Sequence, residues 1–213
     1  AGTLDFAEAV RLVRKRGEFM ESAVPSGQGT MAAVLGLSRE EVEEVCRAAA
    51  GTGVVEPANY NCPGQIVIAG ETAAVTAAAE LALARGAKKV IPLKVSGPFH
   101  SRLLAPAGER LAGELARVSL SDPDLPVVAN VTAQYVRDKE EVKDLLVKQV
   151  SHPVLWEDSV QRMLADGVDT FIEVGPGRAL SGFVKKIDRR ARCLQVGDLS
   201  SLQNTLAELE GVG

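Results

Sequence analysis

Residues 28–96 carry a rhythm of apolar runs and breaks that few architectures accommodate. A short apolar strand over 30–35 is followed by a capping box, Ser38 with Glu41, which opens a helix ending at Gly51. Strands over 54–61 and 65–69 come next, joined through Cys62-Pro63-Gly64. An Ala-rich helix over 72–85, stopped by Gly86, leads to a fourth strand over 88–96. The order is β-α-β-β-α-β, the split βαβ of a ferredoxin-like unit. Both ends return to elements outside it, so it reads as an insertion. The expected organisation is a small subdomain at 28–96 within a larger α/β part formed by 1–27 and 97–213.

The larger part also alternates. A helix capped by Thr3 or Asp5 runs to about residue 23. Beyond 97, helices over 103–118, 139–150, 156–166, 179–187 and 200–209 alternate with strands over 126–132, 170–174 and 192–196. Aromatic residues make up 4% of the chain and hydrophobic residues 46%, so the core is built from Ala, Val, Leu and Ile, as in parallel α/β proteins. A formal charge of −4 argues against a nucleic-acid partner. No apolar run has membrane-spanning length and no signal peptide opens the sequence, so no membrane role is expected. Cys46, Cys62 and Cys193 are odd in number and lack metal-ligand spacing, which suits reduced thiols in the cytoplasm. The sequence starts at Ala1 without Met and enters a helix within a few residues, as the middle of something longer would.

The chemistry centres on His100. The strand over 88–96 ends in Gly97-Pro98, and Phe99-His100-Ser101 follows, an arrangement that aims an imidazole into a cleft. Imidazole titrates nearest neutrality and serves as a general base. The alternative is a half-buried histidine at a helix start. In the first helix Phe6, Val10, Val13, Gly17 and Met20 follow helical spacing, and Leu12, Arg16 and Met20 share one side. Arg16 is then the one basic residue of that helix expected to face inward, where it needs an anion, several carbonyls or a structural salt bridge. Gln149 stands at a helix end before Ser151-His152-Pro153, either as a loop-binding amide or as a solvated side chain. No metal set, phosphate loop, dinucleotide fingerprint or G-x-S-x-G nucleophile elbow occurs in the sequence. Ser96 and Ser101 flank His100, but adjacency in sequence does not give nucleophile–base geometry.

Five blocks in order carry a family resemblance. They are Arg14-Lys15-Arg16-Gly17-Glu18-Phe19-Met20, the stretch from Asn59 to Gly70, Pro98-Phe99-His100-Ser101, Lys148-Gln149 with Pro153-Val154 and Trp156, and Glu173-Val174-Gly175-Pro176-Gly177. Together they resemble the malonyl-CoA:acyl carrier protein transacylases of type II fatty-acid synthesis. The resemblance implies an α/β-hydrolase-like parallel-sheet core, incomplete in this chain, with a ferredoxin-like insert. It implies a two-step shuttle, in which a serine takes malonyl from coenzyme A and the phosphopantetheine thiol of acyl carrier protein takes it from the serine. By the same resemblance His100 is the catalytic base, Gln149 helps hold the His100 region through a backbone contact, Arg16 binds the malonyl carboxylate, and Met20 and Phe99 line the substrate site. Phe99 corresponds to a bulky residue that crowds an α-methyl branch. Malonyl-CoA is a substrate, and no cofactor is implied.

The sequence departs from that family at its start. The F-P-G-Q-G-S-Q and G-H-S-L-G-E segments, which supply an oxyanion-hole Gln and the nucleophilic serine, do not occur here. The expected partners therefore include malonyl-CoA, acyl carrier protein and a complementing N-terminal segment, and the chain alone is expected to be inactive. Lys185, Lys186, Arg189, Arg190 and Arg192 form a basic cluster suited to steering an acidic carrier or the phosphates of coenzyme A. Two other readings remain: a non-catalytic carrier-binding module, or a polyketide-type acyltransferase for another extender unit. Arg16 and Phe99 speak against the latter.

Overall fold

The computed structural model describes residues 1–211. Its contacts divide the chain into two compact units, Ala1–Ser159 and the part from Val160 onward.

In the first unit, α1 (Phe6–Ala23) starts at Asp5, whose carboxylate accepts from the amides of Ala7 and Glu8. Then come β1 (Gly29–Leu35), α2 (Arg39–Ala49), β2 (Val55–Cys62), β3 (Gln65–Glu71), α3 (Thr72–Ala84) and β4 (Lys89–Pro92). The Ser38–Glu41 capping box is formed at α2. These strands make one antiparallel sheet of order β2-β3-β1-β4. Pro63-Gly64 closes the β2–β3 hairpin, with Gly64 at φ +72°. Gly70 is required by close approach, since a Cβ there would lie 2.0 Å from the Val54 carbonyl oxygen.

Strand alternation divides the sheet's side chains between two cores. Ala32, Val34, Ile66 and Ile68 pack with Val42 and Val45 of α2 and Ala74 and Ala78 of α3. Met31, Ala33, Val67 and Ala69 face the other way, where Leu93 and Phe99 cover them. β4 is shorter than the 88–96 strand expected from sequence. Pro92 has no amide to donate, and the ladder closes with the Leu93 amide on the Met31 carbonyl. The chain then passes beneath the sheet before reaching His100.

After a 3₁₀ turn at Arg102–Leu104 come α4 (Ala105–Leu115), the short strands β5 (Val128–Ala129) and β6 (Gln134–Tyr135), α5 (Lys139–Ser151) and α6 (Trp156–Ala165), which crosses the unit boundary. α4 stops at Leu115, short of the expected 118. The strand expected over 126–132 is a two-residue arm of a hairpin whose turn holds Ala133 at φ +54°. α1, α4 and α5 share a core of Leu12, Met20, Leu104, Leu111, Leu115 and Val150. The helical stripe Phe6–Val10–Val13 is not part of it: Phe6 is 81% exposed, and the covered side of α1 is that of Leu12, Phe19 and Met20.

The second unit holds β7 (Thr170–Val174), α7 (Ala179–Ile187), β8 (Arg192–Val196) and α8 (Leu199–Leu209). β7 and β8 pair in parallel. Val174 is 80% exposed, an uncovered apolar position on that pair. Antiparallel and parallel pairing thus occur in one α/β chain. Among the described residues no helix is long and apolar enough to cross a membrane.

Candidate functional site

His100 sits at φ +61°, in the left-handed region. An L-residue there costs about 1–2 kcal/mol, so its surroundings must impose it. Upstream, Pro98 is fully buried against Gly29, where a Cβ would approach the Pro98 ring to 2.4 Å. Phe99 packs against both the lower face of the sheet and the α1/α4/α5 core. Downstream, the fully buried Ser101 hydroxyl donates back across the turn to the Pro98 carbonyl at 2.6 Å. That bond rules out Ser101 as a free nucleophile.

The ring itself is fixed by the end of α5. His100 Nδ1 lies 2.9 Å from the Gln149 carbonyl oxygen. A carbonyl can only accept, so Nδ1 carries the proton and Nε2 keeps its lone pair. Burial holds the His100 pKa below its ordinary value, and the charge of Arg16 acts in the same direction. The carbonyls of Gln149 and His152 oppose them. The result is a neutral imidazole with Nε2 available as a base. The Gln149 side chain turns to the loop that follows, donating to the carbonyls of His152 at 3.1 Å and Pro153 at 3.3 Å. His152 donates from Nδ1 to the Lys148 carbonyl at 2.8 Å, a helix-end bond.

Arg16 is half-buried on α1, one turn before the buried Met20. Among the described residues its guanidinium makes no hydrogen bond or ion pair, and burial lowers its pKa. Its neighbour Lys15 is paired with Glu114 of α4. A desolvated cation left unpaired beside a neutral imidazole is an arrangement suited to an anionic ligand. His100, Gln149, Arg16, Met20 and Phe99 therefore gather in the first unit, on α1, the turn after β4 and the end of α5.

The basic cluster lies on the second unit and is partly neutralised. Arg190 pairs with Asp188, Arg192 with Glu208, and Lys185 donates to the Arg189 carbonyl. Sequence reasoning missed Glu56 of β2, whose carboxylate accepts from both the backbone amide and Nε of Arg102. No local signal links two residues so far apart in sequence. Among the described residues no His, Cys, Asp and Glu group is arranged to hold a metal.

The chain is 47% identical to the malonyl CoA-acyl carrier protein transacylase of Bacillus subtilis (strain 168) over 211 residues, covering 99% of this chain and 67% of that protein. It superposes at a TM-score of 0.95, with 45% identity, on the crystal structure of the malonyl CoA-acyl carrier protein transacylase from Clostridium perfringens, covering 99% of this chain and 66% of that one. It superposes equally well, at 40% identity, on a malonyl-transacylase solved in complex with its type II polyketide acyl-carrier protein. The chain spans about two thirds of the length of these relatives. Residues 1–199 match the acyl transferase domain model, and the chain belongs to that family.

Proposed function

We propose that this chain forms the base-bearing and carboxylate-binding part of an enzyme that moves malonyl from coenzyme A to the phosphopantetheine thiol of an acyl carrier protein. The observation that carries the reading is the pair of His100 and Arg16. His100 donates from Nδ1 to Gln149, which leaves the lone pair on Nε2, and the charge of Arg16, which has no partner among the described residues, acts on the ring. In the first step a serine from outside these residues gives its proton to Nε2 as its oxygen attacks the thioester carbonyl. The coenzyme A thiolate leaves and takes that proton. In the second step Nε2 accepts the carrier thiol's proton, the sulfur attacks the acyl-serine, and the serine is reprotonated. Arg16 pairs with the free malonyl carboxylate, and Met20 and Phe99 shape the space beside it.

The relatives' malonyl-transacylase names and the carrier complex support this reading. The strand order of the four-stranded sheet supports a ferredoxin-like insert at 28–96, and the parallel β7–β8 pair supports an α/β-hydrolase-like core formed by 1–27 and 97–213. The reading needs no resident cofactor. The buried thiols of Cys46 and Cys62, neither of them in a disulfide, support action in the cytoplasm. The test is intact-mass measurement after malonyl-CoA treatment of protein extended N-terminally to the length of its relatives. One malonyl adduct, discharged by carrier protein and slowed in His100→Ala, is expected. A protein that never acquires the adduct is not this enzyme.

A further inference from the structure

We propose that Glu56 is a positioning residue for His100, clamping Arg102 from β2 and so fixing the left-handed turn that presents the imidazole. The inference rests on the reading of His100 as the base.

The turn needs holding on both sides. Upstream, Pro98 and Phe99 are packed in place. Downstream, the Ser101 hydroxyl bonds within the turn itself, which sets the turn's shape but not its location. Leu104 is buried in the α1/α4/α5 core, and apolar packing has little directional preference. The directional tie to another element is Glu56. One carboxylate oxygen accepts the Arg102 backbone amide at 2.5 Å, and the other accepts Nε of the same residue at 2.9 Å. Glu56 is itself fixed in the sheet, opposite Ala69 of β3.

The clamp also replaces a missing cap. Neither the 3₁₀ turn at Arg102–Leu104 nor α4 has a side-chain cap of its own. The first amides of a helix need acceptors, and a carboxylate there is favoured by the helix dipole. Glu56 supplies that acceptor from a distant strand, two residues after the imidazole.

The charge that acts on the ring is that of Arg16 from α1, while α5 and the loop after it present the carbonyls of Gln149 and His152. This gives the test a sign. Glu56 is not among the groups that shift the His100 pKa, so losing its charge with the geometry kept does not raise that pKa. Loosening the turn lets water reach a ring whose burial is its largest influence, and raises it.

The test titrates His100 by NMR in this chain, with His152→Gln used for assignment. In Glu56→Gln the midpoint should rise toward about 6.5. Arg102→Gln removes only the side-chain half of the clamp at an exposed position, and should give a smaller rise. In the N-terminally extended protein, Glu56→Gln should lower kcat about tenfold while KM for malonyl-CoA stays within about twofold. An unchanged or lowered midpoint in both variants overturns the proposal, even if the melting temperature falls. The titration needs no substrate. A risen midpoint in a protein that forms no malonyl adduct therefore refutes the acyl-transfer reading and leaves the clamp standing.

Discussion

Replacing Arg16 by Met should change stability and specificity in opposite directions. The substitution keeps an unbranched stem one helical turn from Leu12 and Met20, and removes a half-buried guanidinium that has no partner among the described residues. A buried polar group without a bond costs about 1–3 kcal/mol, more when charged. Arg16 is only half-buried, so a gain of about 1 kcal/mol in folding stability is expected. On the substrate side, each hydrogen bond to a charged group contributes about 1.5–3 kcal/mol. A bidentate pair with the malonyl carboxylate at the low end of that range gives about 3 kcal/mol, or roughly a hundredfold preference over acetyl. Urea denaturation of this chain measures the first quantity. Competition between malonyl-CoA and acetyl-CoA in the N-terminally extended protein measures the second. A Met variant destabilised by 1 kcal/mol or more would mean that the guanidinium is held by bonds that fold the protein. An unchanged malonyl preference would remove Arg16 from the carboxylate site.

Acid should expose the His100 proton balance. Its folded-state pKa is lowered, so the unfolded chain takes up a proton below about pH 6.5 that the folded chain refuses. Stability is therefore full above about pH 6.5 and falls with acid by up to about 1.4 kcal/mol per pH unit until the folded-state pKa is passed. In His100→Gln that part of the slope should vanish, and identical acid profiles would contradict a neutral buried ring. Charge reversal at Lys185 and Lys186 should raise KM for carrier protein several-fold at low salt and little at high salt. A carrier KM that does not move would assign the cluster to its own helix end, where Asp188 already pairs with Arg190.

The elements most legible in sequence were those whose limits are local. β7, α7 and β8 lie at their expected positions, because short apolar runs there are bounded by the Gly175-Pro176-Gly177 turn and by Asp188. The Ser38–Glu41 box fixed the start of α2 by bonds among four consecutive residues. Misreadings occur where a partner distant in sequence decides the outcome. The 126–132 run has strand composition, but its ladder is limited to Val128 and Ala129, in a hairpin. The Phe6–Val10–Val13 stripe has helical spacing, yet the face that α4 covers is that of Leu12 and Met20. His100 and Arg16 were legible as chemistry, since an imidazole after Gly-Pro and an inward cation each demand an explanation. The Gln149 contribution came from the family resemblance, which implied a backbone contact, and it is the backbone carbonyl that touches the imidazole.

That carbonyl links the end of α5 to β2. Gln149 donates from its side chain to the 152–153 loop, and the next residue, Val154, exchanges backbone bonds with β2. Its amide donates to the Ala58 carbonyl, and its carbonyl accepts from Tyr60. β2 is an edge strand, so this pairing covers polar groups that would otherwise stand open. It also brings α5, and with it the acceptor of the His100 proton, into register with the strand that carries Glu56. Arg39 of α2 adds a further tie, stacking over Tyr60 at 4.3 Å while its guanidinium reaches both oxygens of Asp158. The imidazole is thus held from two directions, through Gln149 on its ring and through Arg102 on its backbone, and both lines of support end on alternate residues of one strand. A displacement of β2 would move both together, which preserves the geometry of the base better than two unrelated supports would.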